Sequence, residues 1–255
     1  MPERGGGLGW LLFKIRTDTA IMTRTFIRSR LPAGLTALLA SAALLTAAPH
    51  AQAAEATQLA PKPAIDAPAG KAGTAIAYFA GGCFWGVEGV LSHVKGVKSV
   101  VSGYGGGPAN VRVNYEKVGT GSTGYAEAVR VVYDPSEVSY GTLLRVFFSV
   151  ITDPTTLNYQ GPDRGTQYRS ALFPQSAEQE KVAKAYLAQL GQSGLWKDPI
   201  VTRIEPVGRF QAAEGYHQDF MKNNPDNGYI KRWDAPKLEA FRQLFPALYS
   251  ATPAA

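Results

Sequence analysis

The sequence predicts an α+β domain, a mixed β-sheet with helices packed on it, and three observations carry that expectation. A strand-length apolar run, "TAIAYFA" (74–80), stops at Gly81 and Gly82 and gives way to Phe84, Val87, Leu91 and Val94 at helical spacing. Further strands and helices follow without the strict alternation of a doubly wound parallel sheet. A long glycine-rich stretch joins one pair of strands. At 255 residues, 45% apolar and 18% charged, the chain suits one globular domain with a sizeable core.

The elements follow in order. Cys83 is expected as the first residue of the helix after the glycine turn. "VKSVVSGY" (97–104) and "AEAVRVVYDP" (126–135) have strand patterning, with Asp134 and Pro135 as a turn. "SYGTLLRVFFSV" (139–150) predicts a helix and "QYRSALF" (167–173) a strand. Ser176 followed by Gln179 is a capping box opening a helix that runs to about Leu190. "PIVTRIEPV" (199–207) is a further strand candidate, "AAEGYHQDFM" (212–221) a short helical stretch, and "NNPDNG" (223–228) a turn. An amphipathic helix over 236–245 closes the chain.

Ahead of the domain, residues 22–55 place Arg24, Arg28 and Arg30 before an apolar run over 31–48 and the small-residue triplet Ala51, Gln52, Ala53. That order predicts a secretory leader over 1–53 with Met22 as initiator, and export to a periplasmic or extracellular space. Pro32 and Gly34 interrupt the run, which is short for a membrane span. Residues 54–72, rich in Ala and Pro, predict a linker. The expected catalytic domain covers 73–235, and a C-terminal helix and tail cover 236–255. Residues 1–53 carry six basic and two acidic side chains, so without them the formal charge falls from +6 to +2. No long basic patch remains for nucleic acid.

"GTGSTG" (119–124) matches a dinucleotide fingerprint by letter, yet a strand rather than a helix follows, so a tight loop is expected. The chain's single cysteine excludes an internal disulfide. At a helix start Cys83 meets unpaired backbone N–H groups and the positive end of the helix dipole, both of which favour the nucleophilic thiolate. Phe84 and Trp85 can supply an apolar wall beside the sulfur. No histidine or cysteine cluster is present to hold a metal.

"GCFWGVE", "SGYGGG", "VNYEKVGTGSTGYAEAVRVVYDP" and "QGPDRGTQYRSALF", in this order and spacing over about 76–232, resemble the peptide methionine sulfoxide reductase A family. The resemblance implies a ferredoxin-like two-layer sandwich and reduction of methionine S-sulfoxide in oxidised proteins. It implies Cys83 as the nucleophile that takes the oxygen as sulfenic acid, and Glu127 as general acid. It further implies Tyr115 and Tyr168 as donors to the sulfoxide oxygen, Asp163 as an ordering acid, and Phe84 and Trp85 as the methyl-binding wall. Tyr125 and Thr152 stand where many members have histidine, and Pro162 replaces a common asparagine. The C-terminal cysteines of many relatives are missing, so an external thiol such as thioredoxin, glutaredoxin or dithiothreitol is expected to regenerate Cys83, with no metal or organic cofactor. Two other functions also use a lone thiol: a peroxidase or redox sensor, and a cysteine hydrolase with His217 as base oriented by Asp219. On a helix, however, residues two apart do not face each other.

Overall fold

A computed structural model describes residues 57–68 and 70–254; the expected leader over 1–53 lies outside the described residues. Strand β1 (Ala75–Gly81) leads into helix α1 (Phe84–Ser92), followed by β2 (Val97–Gly105), α2 (Tyr115–Gly119), β3 (Ala126–Tyr133) and α3 (Tyr140–Val146). The second half contains β4 (Tyr159–Gln160), β5 (Asp163–Arg164), β6 (Ser170–Phe173), α4 (Ala177–Gln192), β7 (Arg203–Ile204), β8 (Gln211–Ala212), α5 (Phe220–Asn223) and α6 (Ala235–Leu244).

The main sheet has the order β7-β6-β1-β3-β2-β8, and β4 pairs with β5 in a separate hairpin. β1 is antiparallel to β3 and β6, β2 is antiparallel to β3 and β8, and β6 is parallel to β7, so the sheet is mixed. Its centre, β6-β1-β3-β2, is built from the succession β1-α1-β2-β3-α3-β6, the ferredoxin-like split βαβ arrangement. Alternation along the strands sends Ala77 and Phe79 of β1, Val129 and Val131 of β3 and Leu172 of β6 into the main core with Leu143, Phe147 and Phe241. The opposite face carries small residues, Ala80, Ala126, Ala128 and Ala171, around Phe173, and is packed by Val207 and Phe210.

Local chemistry sets the element ends. Ser139 and Ser176 each accept the N–H three residues on, at 3.0 and 3.1 Å, opening α3 and α4. Only half of the expected capping box forms, because Gln179 Oε1 accepts from Gln175 N–H and its Nε2 donates to Ile76 O at 2.9 Å, tying α4 to β1. The helix expected over 139–150 changes to a π-helical turn at Phe147–Ile151. That turn lays Phe147 on the end of β1, where a Cβ on Gly81 would meet its ring at 2.6 Å.

Three expectations are corrected. The strand expected over 167–173 is confined to 170–173, because Gly165 at φ 130° starts a 3-10 turn at Thr166–Tyr168, and Arg169 Nη1 holds that turn by its Thr166 carbonyl at 3.0 Å. Residues 57–68, expected as linker, form a strap on the domain. Ala60 is fully buried, its N–H donates to Ser149 Oγ, Arg145 Nε donates to Ala60 O, and Tyr186 hydroxyl donates to Pro61 O. Third, α6 is not an appendage beyond a boundary at 235, since Phe241 is fully buried in the main core. Among the described residues no helix is long and apolar enough to cross a membrane.

Candidate active site

The site begins where β1 ends. Gly82 adopts φ +94°, open to glycine at little cost, and a Cβ there would lie 2.6 Å from Gln160 Cβ. This turn presents Cys83 as the residue flanking α1 rather than its first helical residue, with φ −54° and ψ 121°. Gln160 also fixes the neighbouring hairpin: its amide bonds Asp153 N–H and O at 2.9 and 2.8 Å. That hairpin carries Asp163 on β5.

Glu127 shows why the strand period matters. Read alone it is an exposed strand carboxylate, yet it shares the parity of Val129, Val131 and Tyr133 and so lies on the helix-covered face, 3% exposed. Its Oε2 accepts the Phe84 N–H at 3.0 Å, one of the orphan donors of the first turn of α1. Burial pushes the carboxyl up to about 8; the Phe84 N–H opposes that rise, and the negative charges of Asp163 and Asp234 add to it. Glu127 therefore holds its proton at neutral pH.

Cys83, Phe84, Trp85, Tyr115, Glu127, Asp163 and Tyr168 all line one cavity of about 300 Å³. Tyr115 opens α2, and Tyr168 ends the 3-10 turn rather than standing on a strand. Burial raises both phenols, Tyr115 up to about 12, so each keeps a proton to donate. The two aromatics divide their roles: Phe84 is 1% exposed and packs on Tyr104, while Trp85 stacks on Phe220 at 3.7 Å between ring centres.

The expected thiolate is not the resting form. Burial raises the Cys83 thiol well above its ordinary range, and the negative charges of Asp234 and Asp163, with that of Glu127 once it ionises, add to that rise. The Trp85 backbone N–H at the helix start opposes them and is outweighed. The helix start does favour the anion, but the fold gathers around the sulfur carboxyls that no local pattern places there.

Asn227 and Tyr229 complete the lining and escaped the sequence reading, in which "NNPDNG" stood only as a turn. The Tyr229 hydroxyl donates to Asp163 Oδ2, and its ring meets Trp85 edge-on at 5.8 Å. His217 is drawn into the wall instead of serving as a base. It is 2% exposed, its Nδ1 accepts the Trp85 indole N–H at 3.0 Å, and burial lowers its pKa. The partner imagined for it, Asp219, adopts φ 52° and approaches Lys222 at 3.6 Å. Among the described residues no group of His, Cys, Asp and Glu could hold a metal ion.

A single thiol set beside a proton-holding carboxyl and two phenols, on a ferredoxin-like sheet, defines a thiol oxidoreductase site. Residues 75–248 match the family model described as peptide methionine sulfoxide reductase. A Mesorhizobium japonicum protein named peptide methionine sulfoxide reductase MsrA 2 is 55% identical over 181 residues, 71% of this chain and 92% of its own length. The Deinococcus radiodurans MsrA is 50% identical over 66% of this chain and 81% of its own. Among solved structures, methionine sulfoxide reductase A of Corynebacterium diphtheriae superposes with a TM-score of 0.52 at 31% identity, covering 68% of this chain and 88% of that one. Mxr1 of Saccharomyces cerevisiae in its reduced form gives 0.52 at 35%, covering 64% and 91%. The chain belongs to the peptide methionine sulfoxide reductase A family.

Proposed function

We propose that the protein is a peptide-methionine (S)-S-oxide reductase that runs on Cys83 alone and borrows its reducing thiols from outside. The observation that carries this reading is the convergence of Cys83, Glu127, Tyr115 and Tyr168 with an apolar Phe84–Trp85 wall on one cavity. The wall suits an S-methyl group, while the phenols and the neutral Glu127 carboxyl can donate to the sulfoxide oxygen.

In the first step the Cys83 sulfur attacks the sulfoxide sulfur as Glu127 gives its proton to the oxygen. The attack forms a transient S–S bond; the S–O bond of the substrate breaks as its hydroxyl passes to the Cys83 sulfur, the S–S bond breaks to release methionine, and Cys83 becomes a sulfenic acid while the thiol proton restores Glu127. The sulfur of the substrate is reduced by two electrons and that of Cys83 is oxidised by two. An external thiol then displaces water from the sulfenic acid, and a second releases it as a disulfide and returns Cys83 to the thiol. Two external thiols are required because Cys83 is the only cysteine in the chain. Thioredoxin, glutaredoxin and dithiothreitol all supply that chemistry.

The basic, apolar and small-residue order of the leader supports export before cleavage near Ala53, with repair of oxidised exported proteins as the role. The test follows methionine formation from each sulfoxide epimer of a peptide by residues 54–255, with dithiothreitol and a Cys83→Ser control. Turnover of the S epimer alone, lost in the control, is the expected result; turnover by Cys83→Ser, or none by the intact protein, would refute the assignment.

A further inference from the structure

Tyr115 reaches the cavity at the end of an exposed stretch, residues 108–112, and opens a helix of five residues, too short to hold itself in place. Its placement depends on what grips it from outside. Glu214 does so: its Oε1 accepts the Tyr115 N–H at 3.0 Å, an orphan donor of the first turn of α2. The other carboxylate oxygen accepts the Tyr104 hydroxyl at 2.8 Å. Tyr104 is buried, packs its ring on Phe84 and stands opposite Glu127 in the β2–β3 register. One carboxylate thus joins the main chain of Tyr115 to the strand tyrosine beside the acid. Burial works against its charge, but the Tyr115 N–H and the Tyr104 hydroxyl help to hold its pKa below the ordinary value.

The turn on which Glu214 stands is fixed without its side chain. Gln211 and Ala212 pair with β2, and the Ala213 N–H donates to Ser102 O at 2.9 Å. On the far side of the turn the Gln218 amide bonds Ser102 N–H and O at 2.9 and 3.0 Å and the Ala213 carbonyl at 3.0 Å. His217, in the same turn, faces the Tyr115 ring at 4.4 Å between centres, and Gln211 accepts the Val113 N–H at 3.3 Å, two residues short of Tyr115. Glu214 is the side chain that bonds the Tyr115 main chain itself.

We propose that Glu214 is a positioning residue for the sulfoxide step: by holding the start of α2 it sets where the Tyr115 hydroxyl stands in the cavity. The proposal rests on the reductase reading for the role of Tyr115. Glu214 is not among the residues that line the cavity, and it acts through Tyr115. A donor has to sit within hydrogen-bond reach of the oxygen on which charge develops, so a small displacement of α2 costs rate without removing any group from the site.

Two phenols face the same oxygen, so Tyr168→Phe first makes Tyr115 the sole one. In that background Glu214→Ala is expected to lower single-turnover methionine formation about ten- to a hundredfold. In a Tyr115→Phe background the same change is expected to cost less than about twofold, because the hydroxyl it positions is gone. Glu214→Gln is expected to keep the rate of the Tyr168→Phe protein within about threefold, since its carbonyl oxygen can take the Tyr115 N–H while its amide donates to the Tyr104 oxygen. Equal losses in the two backgrounds, or no loss in the first, would overturn the proposal. Glu214→Met fills the same space without an acceptor and serves if circular dichroism shows that the alanine variant is unfolded. Loss of the fold in both would assign Glu214 to stability and likewise overturn it. A second readout needs no substrate: exchange of the Tyr115 amide hydrogen, followed by NMR, should quicken about tenfold or more in Glu214→Ala and stay near wild type in Glu214→Gln. Unchanged exchange in the alanine variant also overturns the proposal. No methionine from the unaltered protein would instead sink the reductase reading, and the exchange rates would still decide whether Glu214 fixes Tyr115.

Discussion

Glu127→Gln should separate what Glu127 does for catalysis from what its burial costs the fold. A carboxyl titrating at about 8 is about 90% protonated at pH 7, against about 0.3% at the ordinary value of 4.5, so the site holds roughly 300 times more acid than an exposed glutamate would. The folded protein binds this proton more tightly than the unfolded chain does. Stability therefore falls as pH rises from about 4.5 to about 8, by about 1.4 kcal/mol per unit. Glutamine is neutral throughout and can still accept the Phe84 N–H through its carbonyl oxygen. The variant should gain on the wild type by about 2 to 3 kcal/mol between pH 5.5 and pH 7.5 while losing a factor of about 10² to 10⁴ in the sulfoxide step. Glu88, which burial pushes up to about 7, titrates in both proteins and cancels in the difference. Urea unfolding at the two pH values gives the stability difference, and single-turnover methionine formation gives the rate. An equal stability difference at both pH values would show that Glu127 titrates normally, and an unchanged rate would remove it from the acid role.

Gly82→Ala forces a side chain into a positive-φ position and against Gln160, at an expected cost of about 1 to 3 kcal/mol. Turnover should drop with it, since Gln160 anchors the hairpin that carries Asp163; a variant with wild-type Tm and kcat would mean that the turn tolerates a Cβ. Asp66→Ala removes the carboxylate that accepts Gly141 N–H at 2.8 Å and the Ser139 hydroxyl, which couple the strap to the start of α3. Loss of about 1 kcal/mol should lower Tm by about 2 to 4 °C with turnover unchanged, and an unaltered Tm would show that the strap adds nothing to stability.

Much of the fold is local and was therefore legible. The β1-glycine-α1 junction, the alternation of β2 and β3, the serine that opens α4 and the closing helix all follow from periodicity and capping within a dozen residues. The misjudged stretches answer to distant partners. The π-helical turn at 147–151 fits the end of β1, the 3-10 turn at 166–168 is tied to the Gly119 and Gly121 carbonyls through Gln167 and Thr166, and the strap at 57–68 has an apolar and hydrogen-bonding seat on α3 and α4 that its Ala/Pro composition does not announce.

The site divides in the same way. The sequence by itself determined that one thiol carries any cysteine chemistry, that no resolving cysteine follows it, and, through its motifs, which acid, phenols and aromatics to look for. Tertiary structure alone decided the protonation states, because they depend on burial and, for Cys83, on carboxyls 44 to 151 residues away along the chain. It also recruited Asn227 and Tyr229 from a stretch that carries no motif. A thiol at a helix start favours its anion until the fold surrounds it with carboxyls, and only the packed chain sets that balance.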